Sequence, residues 1–96
     1  MTFSELKSNT FWIDYRTYTD DILAEADSVS IVLKNSIGAV ISTFTTASEE
    51  VGIIETGWYQ VKINSSSLTA KERYLIQFSC ILDTNTFTRI DYIEVI

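Results

Sequence analysis

Residues 65–82 read SSSLTAKERYLIQFSCIL. In this stretch a lone leucine, Leu68, is followed six positions later by Tyr74, and an apolar run of strand-forming residues begins directly after the tyrosine. A tyrosine in that position can turn its hydroxyl back to the backbone just upstream and fix the crossing between two strands of a β-sandwich. We therefore predict that Tyr74 is a structural corner, that Leu68 fills the core beneath it, and that neither residue is catalytic.

Most of the chain alternates apolar and polar residues in strand-length segments. Turn signals such as NSIG (35–38) and DTNT (83–86) separate these segments, and no long helical period is present. The pattern predicts an all-β sandwich of about seven antiparallel strands. One acidic segment, DDILAEAD (20–27), fits either a single helical turn or a loop. The residues predicted to face the core are Phe11, Ile13, Tyr15, Val29, Ile31, Leu33, Tyr59, Val61, Ile63, Tyr74, Ile76 and Phe78.

Length and charge limit the domain organisation and the partners. The 96 residues suffice for one domain, and we divide them into an N-terminal arm, residues 1–9, and a sandwich domain, residues 10–96. The net charge is −6 and the seven basic residues are scattered, so a nucleic-acid partner is not expected. No apolar stretch is long enough to cross a membrane, and the N-terminus does not read as a signal peptide. The single cysteine, Cys80, is predicted to be a buried core residue.

A resemblance to a known fold family follows from these residues. The segment ETGWYQVKINSSSLTAKERYLIQF (55–78) resembles the second half of immunoglobulin-like (Ig-like) and fibronectin type III modules, in which a Gly-x-Tyr strand precedes a Leu-to-Tyr corner. The layout of residues 10–96 is also similar to small Ig-like modules of tailed-phage virions, such as the N-terminal module of baseplate upper proteins. The chain departs from antibody domains in having no Trp/Cys pair.

The resemblance implies a function and a location. It implies a non-enzymatic virion structural subunit of a tailed phage: a capsid, neck (head–tail) or tail accessory protein. Such a subunit contacts other virion proteins in multiple copies, and it is made in the host cytoplasm without export.

Residue types that carry catalysis are scarce. The chain has no histidine and no glycine-rich phosphate loop, so we expect neither an enzyme nor a cofactor site. The acidic residues of the loops allow three interpretations: a solvated surface, which implies no metal, a calcium site at one end of the sandwich, or a glycosidase-like acid/base pair. These residues are Asp20, Asp21, Asp27, Glu49 and Glu50. The sequence shows no aromatic-lined substrate cleft, which argues against the acid/base pair.

Several large apolar residues fall on the outward side of the alternation. Single exposed apolar residues are ordinary, but tryptophan is enriched at interaction hot spots. We also expect Phe3 and Leu6, in the arm, to have no strand to join. The predicted interface residues are therefore Phe3, Leu6, Trp12, Trp58, Leu75 and Ile81. One alternative is a bulge or register slip that buries some of them. Another is a carbohydrate- or cell-surface-binding module in which Trp12 and Trp58 stack on sugar rings.

Overall fold

The computed structural model describes residues 2–5, 10–64, 66 and 68–96, and this part of the chain contains ten β-strands and no α-helix. Two of the strands have only two residues each. The strands are β1 (Thr2–Glu5), β2 (Thr10–Arg16), β3 (Tyr18–Thr19), β4 (Ile22–Leu23), β5 (Ser28–Lys34), β6 (Val40–Thr45), β7 (Val51–Glu55), β8 (Trp58–Asn64), β9 (Arg73–Leu82) and β10 (Asn85–Val95).

The strands form two packed layers and a small hairpin. One sheet has five strands in the order β1-β10-β9-β5-β6, the other has three in the order β2-β8-β7, and β3 pairs with β4. All described pairs are antiparallel except β1, which runs parallel to β10. Every residue predicted to face the core is buried between the layers. The all-β sandwich prediction is therefore confirmed.

The N-terminal arm is not wholly separate from the sandwich. Thr2–Glu5 pair with the last residues of β10, and the backbone of Phe3 lies opposite Ile93. The expectation that Phe3 has no strand to join is therefore wrong. The physical reason is the length of β10, whose last residues offer an edge to the strand formers Thr2 and Phe3. Leu6 lies outside the described residues.

The acidic segment 20–27 begins as a hairpin and not as a helical turn. Asp20 and Asp21 link β3 to β4 with φ values of 51° and 63°, the left-handed conformation that a two-residue hairpin turn requires at both positions. Asp83 and Thr84 repeat this geometry between β9 and β10, with φ values of 48° and 68°. The predicted turn at residues 83–86 is therefore tighter than expected.

The β3–β4 hairpin is fastened to the start of β8. Gly57 has φ +77°, and a Cβ atom there would lie 2.6 Å from the carbonyl oxygen of Ala24, so only glycine fits. The backbone N–H of buried Thr17 donates to the Gly57 carbonyl at 2.8 Å, and the Thr17 hydroxyl donates to the Ala24 carbonyl. These bonds fix the position of the hairpin at this end of the sandwich.

Candidate interaction surfaces

Tyr74 has the geometry of a structural corner. It lies at the start of β9, it is 4% exposed, and its hydroxyl accepts a hydrogen bond of 2.7 Å from the backbone N–H of Thr69. Leu68, immediately before Thr69, is buried in the core. The hydroxyl therefore ties the crossing between β8 and β9 to the sandwich, and the chemistry at this position is structural.

The core contains a polar group that the alternation did not single out. Asp91 is 1% exposed and accepts a hydrogen bond of 3.4 Å from the Tyr15 hydroxyl. Its carboxylate also forms an ion pair with Arg89, at 3.2 Å. Burial, and secondarily the charge and hydrogen bond of Asp91, raise the pKa of Tyr15. The ring of Tyr15 stacks on Phe78 with 4.4 Å between centroids. A signal for Asp91 existed in the sequence, because it shares the inward side of β10 with Ile93 and Val95.

The two tryptophans lie on the outer surface of the three-stranded sheet, which we call the tryptophan face. Trp12 is opposite Lys62, and Trp58 is opposite Arg16. The two tryptophans therefore lie about four residue positions apart along the paired strands, a distance of roughly 13 Å. Trp12 is 52% exposed, with the Lys62 ammonium 5.9 Å from its ring.

Trp58 is less accessible than Trp12. It is half-buried, and the Arg16 guanidinium lies 4.3 Å from its ring centroid. Its indole Nε1 is buried without a hydrogen-bond partner among the described residues. One side of the Trp58 ring is therefore already covered, and the two rings do not form one continuous platform.

Leu75 and Ile81 lie on the opposite side of the molecule, on the outer surface of the five-stranded sheet. Leu75 is half-buried and Ile81 is 37% exposed. The structure therefore divides the predicted interface residues between two faces and does not unite them in one patch. Neither Leu75 nor Ile81 is buried by a register slip, because β9 keeps its alternation along its whole length.

Further apolar residues join Leu75 and Ile81 on that surface. Val32 and Ile90 flank Gln77 from the two neighbouring strands, and Tyr92 lies beside Leu75. Ile90 is 46% exposed and Val32 is half-buried. We call this surface the aliphatic face; its members are Val32, Val40, Leu75, Ile81, Ile90 and Tyr92.

The charged side chains described on this surface gather at one end. Arg73 and Glu94 are neighbours there at 4.0 Å, and the Arg73 guanidinium also lies 4.1 Å from the centre of the Tyr92 ring. Lys34 pairs with Leu75 at the same end. Toward the other end the outward residues are apolar or hydroxyl-bearing, such as Ser79 and Thr88. The aliphatic face is thus largely uncharged on a chain of net charge −6.

A cleft opens between β2 and the β9–β10 hairpin. Its volume is about 490 Å³, and its walls include Tyr15, Phe78, Leu82, Phe87 and Arg89. Phe87 is 53% exposed at its mouth. Cys80 also contributes to the wall, but it is buried, and burial raises the pKa of its thiol. A cysteine with a raised pKa is a weak nucleophile at neutral pH.

The acidic loop residues do not converge. Asp20 and Asp21 form the turn of the β3–β4 hairpin, which follows the end of β2. At that end of the three-stranded sheet Arg16 pairs with Trp58. Glu49 and Glu50 lie near the other end of the same sheet, where the Glu50 carbonyl accepts a hydrogen bond of 2.8 Å from the Lys62 N–H. Among the described residues, no group of three or more Asp, Glu, Cys or His side chains is placed to hold a metal ion.

The two-layer topology and the corner define an immunoglobulin-like β-sandwich. A solved structure described as the ZIG-8-RIG-5 IG1-IG1 heterodimer is similar to this chain with a TM-score of 0.57 and 16% sequence identity, over 99% of this chain and 81% of that one. At this identity the similarity shows the fold. No protein-family model and no curated protein sequence matches the chain. None of the described segments is a helix that could cross a membrane.

Proposed function

We propose that this chain is a non-enzymatic Ig-like domain that acts through protein–protein contacts made by the aliphatic face. The observation that carries the proposal is a cluster of outward apolar residues on three neighbouring strands. Leu75 on β9 lies directly opposite Tyr92 on β10, and it is diagonal to Ile90 on β10 and Val32 on β5, which flank Gln77. A contiguous exposed apolar surface is typical of an interaction site.

The composition of the face fits a contact with another protein. Interface centres are depleted in charged residues and enriched in aromatic ones. Here Tyr92, 36% exposed, lies beside Leu75 with the Arg73 guanidinium 4.1 Å from the centre of its ring. The charged residues Arg73 and Glu94 stand at the end of the face. The similar solved structure is a heterodimer of two IG1 domains. That assembly is consistent with a protein-contact role for a sandwich of this shape.

The finer proposal is a structural subunit of a tailed-phage virion, present in multiple copies on the capsid, neck or tail. Its support is the resemblance of residues 10–96 in layout to small Ig-like modules of such virions. The aliphatic face then rests on another virion protein, and the protein is located in the virion.

A second candidate function is carbohydrate or cell-surface binding. The observation that favours it is Trp12, whose ring is 52% exposed and can stack on a sugar. The arginine-covered, half-buried ring of Trp58 weakens it, because a two-ring platform is lost. We therefore rank this function below protein contact.

Two measurements separate the candidates. A virion subunit co-sediments with intact particles in a density gradient, in many copies per particle. A sugar-binding module instead changes its tryptophan fluorescence when oligosaccharides are added, and Trp12→Ser abolishes that change while Trp58→Phe retains it. Absence from purified particles that assemble normally contradicts the virion proposal, and a saturable fluorescence response contradicts the preference for protein contact.

A further inference from the structure

The open edge of the five-stranded sheet is only half occupied. β1 pairs with Tyr92–Val95 at one end of β10. Along residues 85–91, β10 has β9 on one side, and no strand of the described chain lies on the other. A row of backbone N–H and C=O groups on an open edge is a template for another strand.

The direction of these backbone groups follows from the hairpin. The two-residue turn Asp83–Thr84 makes Leu82 and Asn85 a hydrogen-bonded pair, and such pairs alternate along antiparallel strands. The backbone N–H and C=O groups of the odd-numbered residues of β10 therefore form hydrogen bonds with β9. Val95, at the C-terminal end of β10, follows the same alternation. Its N–H donates to the Glu72 carbonyl at 3.1 Å, and its carbonyl accepts from the Lys71 N–H at 2.6 Å. The peptide groups of Thr86, Thr88 and Ile90 therefore point to the open edge.

We propose that a second copy of this chain pairs with this edge, β10 against β10, antiparallel, with the two-fold axis at Thr88. Thr88 then faces Thr88 of the second copy, and Thr86 faces Ile90 of the second copy. Each of these pairs exchanges both of its hydrogen bonds, so every open peptide group of this half of β10 is used. An axis at Ile90 does not work, because it would require Tyr92, whose edge β1 already occupies. The second copy instead fills the gap in line with β1.

The side chains that face each other in this pairing of two β10 strands are compatible. Phe87 faces Arg89 of the second copy, which is a favourable contact between a guanidinium and an aromatic ring. Asn85 faces Asp91 of the second copy, so no two like charges stand opposite each other. The residues 85–91 include neither proline nor lysine, which commonly protect open edges from pairing. Arg89 is already held by Asp91 at 3.2 Å.

The cleft beside β10 adds an apolar contribution. Phe87 is 53% exposed at the mouth of the roughly 490 Å³ cleft, next to Leu82 and Phe78. A strand of the second copy along β10 covers that mouth and removes Phe87 from water, which favours association. This contact is made by the backbone edge of the sheet, and Ile90 is the residue that it shares with the aliphatic face.

The opposite edge of the same sheet supplies a matched control. β6 is also an outer strand, and the Thr45 N–H bonds the Ser48 hydroxyl at 2.9 Å and not β5. Thr43, two residues earlier, therefore directs its peptide group to the open side as Thr88 does. Both threonines carry their side chains on the outer surface of the sheet.

Sedimentation equilibrium over a range of concentrations tests the pairing. The wild-type chain is expected to dimerise, whereas Thr88→Lys and Thr88→Glu each weaken the dimer severalfold because like charges meet at the two-fold axis. An equimolar mixture of the two variants is expected to recover the dimer, since lysine then meets glutamate. That recovery also shows that both variants are folded. Thr43→Lys and Thr43→Glu are expected to dimerise as the wild type does.

Three results would overturn the proposal. The first is a wild-type chain that stays monomeric at every concentration, which would leave the edge to a strand of a different protein. The second is a dimer that the Thr88 variants leave unchanged or that their mixture fails to restore. The third is a dimer that is lost in the Thr43 variants and kept in the Thr88 variants, which would place the contact on β6.

Discussion

The hydroxyl of Tyr74 accepts a hydrogen bond of 2.7 Å from the backbone N–H of Thr69, five residues upstream, within the segment that crosses from β8 to β9. The bond links a long strand of one sheet to the segment that leaves the other. It is a local interaction that joins the two layers where the chain passes between them.

Removing that hydroxyl should destabilise the domain. Tyr74→Phe keeps the ring in the core and leaves the Thr69 N–H without its acceptor, at a cost of roughly 1–3 kcal/mol in the free energy of unfolding. In a domain of this size each kcal/mol lowers the melting temperature by about 4–8 °C. Tyr92→Phe is the control, because Tyr92 lies partly exposed on the outer surface. Equal melting temperatures for Tyr74→Phe and the wild type would show that the corner bond contributes nothing.

The raised pKa of Tyr15 predicts a loss of stability at alkaline pH. Its folded-state pKa lies above the unfolded value near 10, so the native chain holds a proton that the unfolded chain releases. The contribution of Tyr15 is fully present below about pH 10 and falls as pH rises above it, by about 1.4 kcal/mol per pH unit. Denaturant unfolding from pH 9 to 11 should therefore show a steeper decline for the wild type than for Tyr15→Phe. Parallel declines would contradict the role of Tyr15.

A glycine in the turn between β9 and β10 should stabilise the domain. Thr84 has a φ of 68°, which is strained for a β-branched residue and ordinary for glycine. Thr84→Gly is expected to stabilise the domain by about 1 kcal/mol, since the relieved strain outweighs the extra freedom of the unfolded chain. Thr43→Gly, within β6, should destabilise it by about 0.5–1 kcal/mol. Chemical denaturation measures both changes, and a destabilised Thr84→Gly would show that the turn carries no such strain.

Calcium should have no effect on stability. The pair Asp20/Asp21 and the pair Glu49/Glu50 lie near opposite ends of the three-stranded sheet, so their carboxylates cannot share one ion. The melting temperature is expected to be the same with millimolar calcium and with a chelator. A calcium-dependent rise of several degrees would mean that an ion binds the folded state.

The extent to which the sequence predicts this structure depends on how local each feature is. The alternation along β2, β5, β8 and β9 assigns inward and outward residues correctly, because side-chain direction in a strand has a period of two. The alternation does not predict the pairing of Thr2 with Tyr92, because this pairing joins the two ends of the chain and a four-residue strand carries little pattern. It does not predict the Asp20–Asp21 turn either, because asparagine followed by glycine is the usual sequence signal for that geometry.

The candidate interface could be predicted only in part, because it too depends on pairings between distant strands. Alternation correctly indicates that Trp12 and Leu75 point away from the core. It does not indicate that the two residues belong to different sheets and so to opposite faces, because strand order within a sheet depends on distant pairings. The same limit applies to Ile90 and Tyr92, which join the aliphatic face only through the pairing of β10 with β9.

Competitive incorporation into virus particles shows whether the aliphatic face makes the functional contact. Leu75→Asp places a carboxylate on the aliphatic face, on β9 opposite Tyr92 and Lys34 and away from the open edge of β10. Trp12→Ser removes the most exposed ring of the tryptophan face. Both variants should be checked for native circular dichroism before use.

Each variant is expressed together with a tagged wild-type chain, and the ratio of variant to wild type in gradient-purified particles is measured by mass spectrometry. We expect Leu75→Asp to be largely excluded, because at an interface the desolvation of a carboxylate costs more than its pairing with Lys34 returns. Trp12→Ser is expected to be incorporated at its input ratio. Exclusion of Trp12→Ser together with normal incorporation of Leu75→Asp would place the contact on the tryptophan face and not on the aliphatic face.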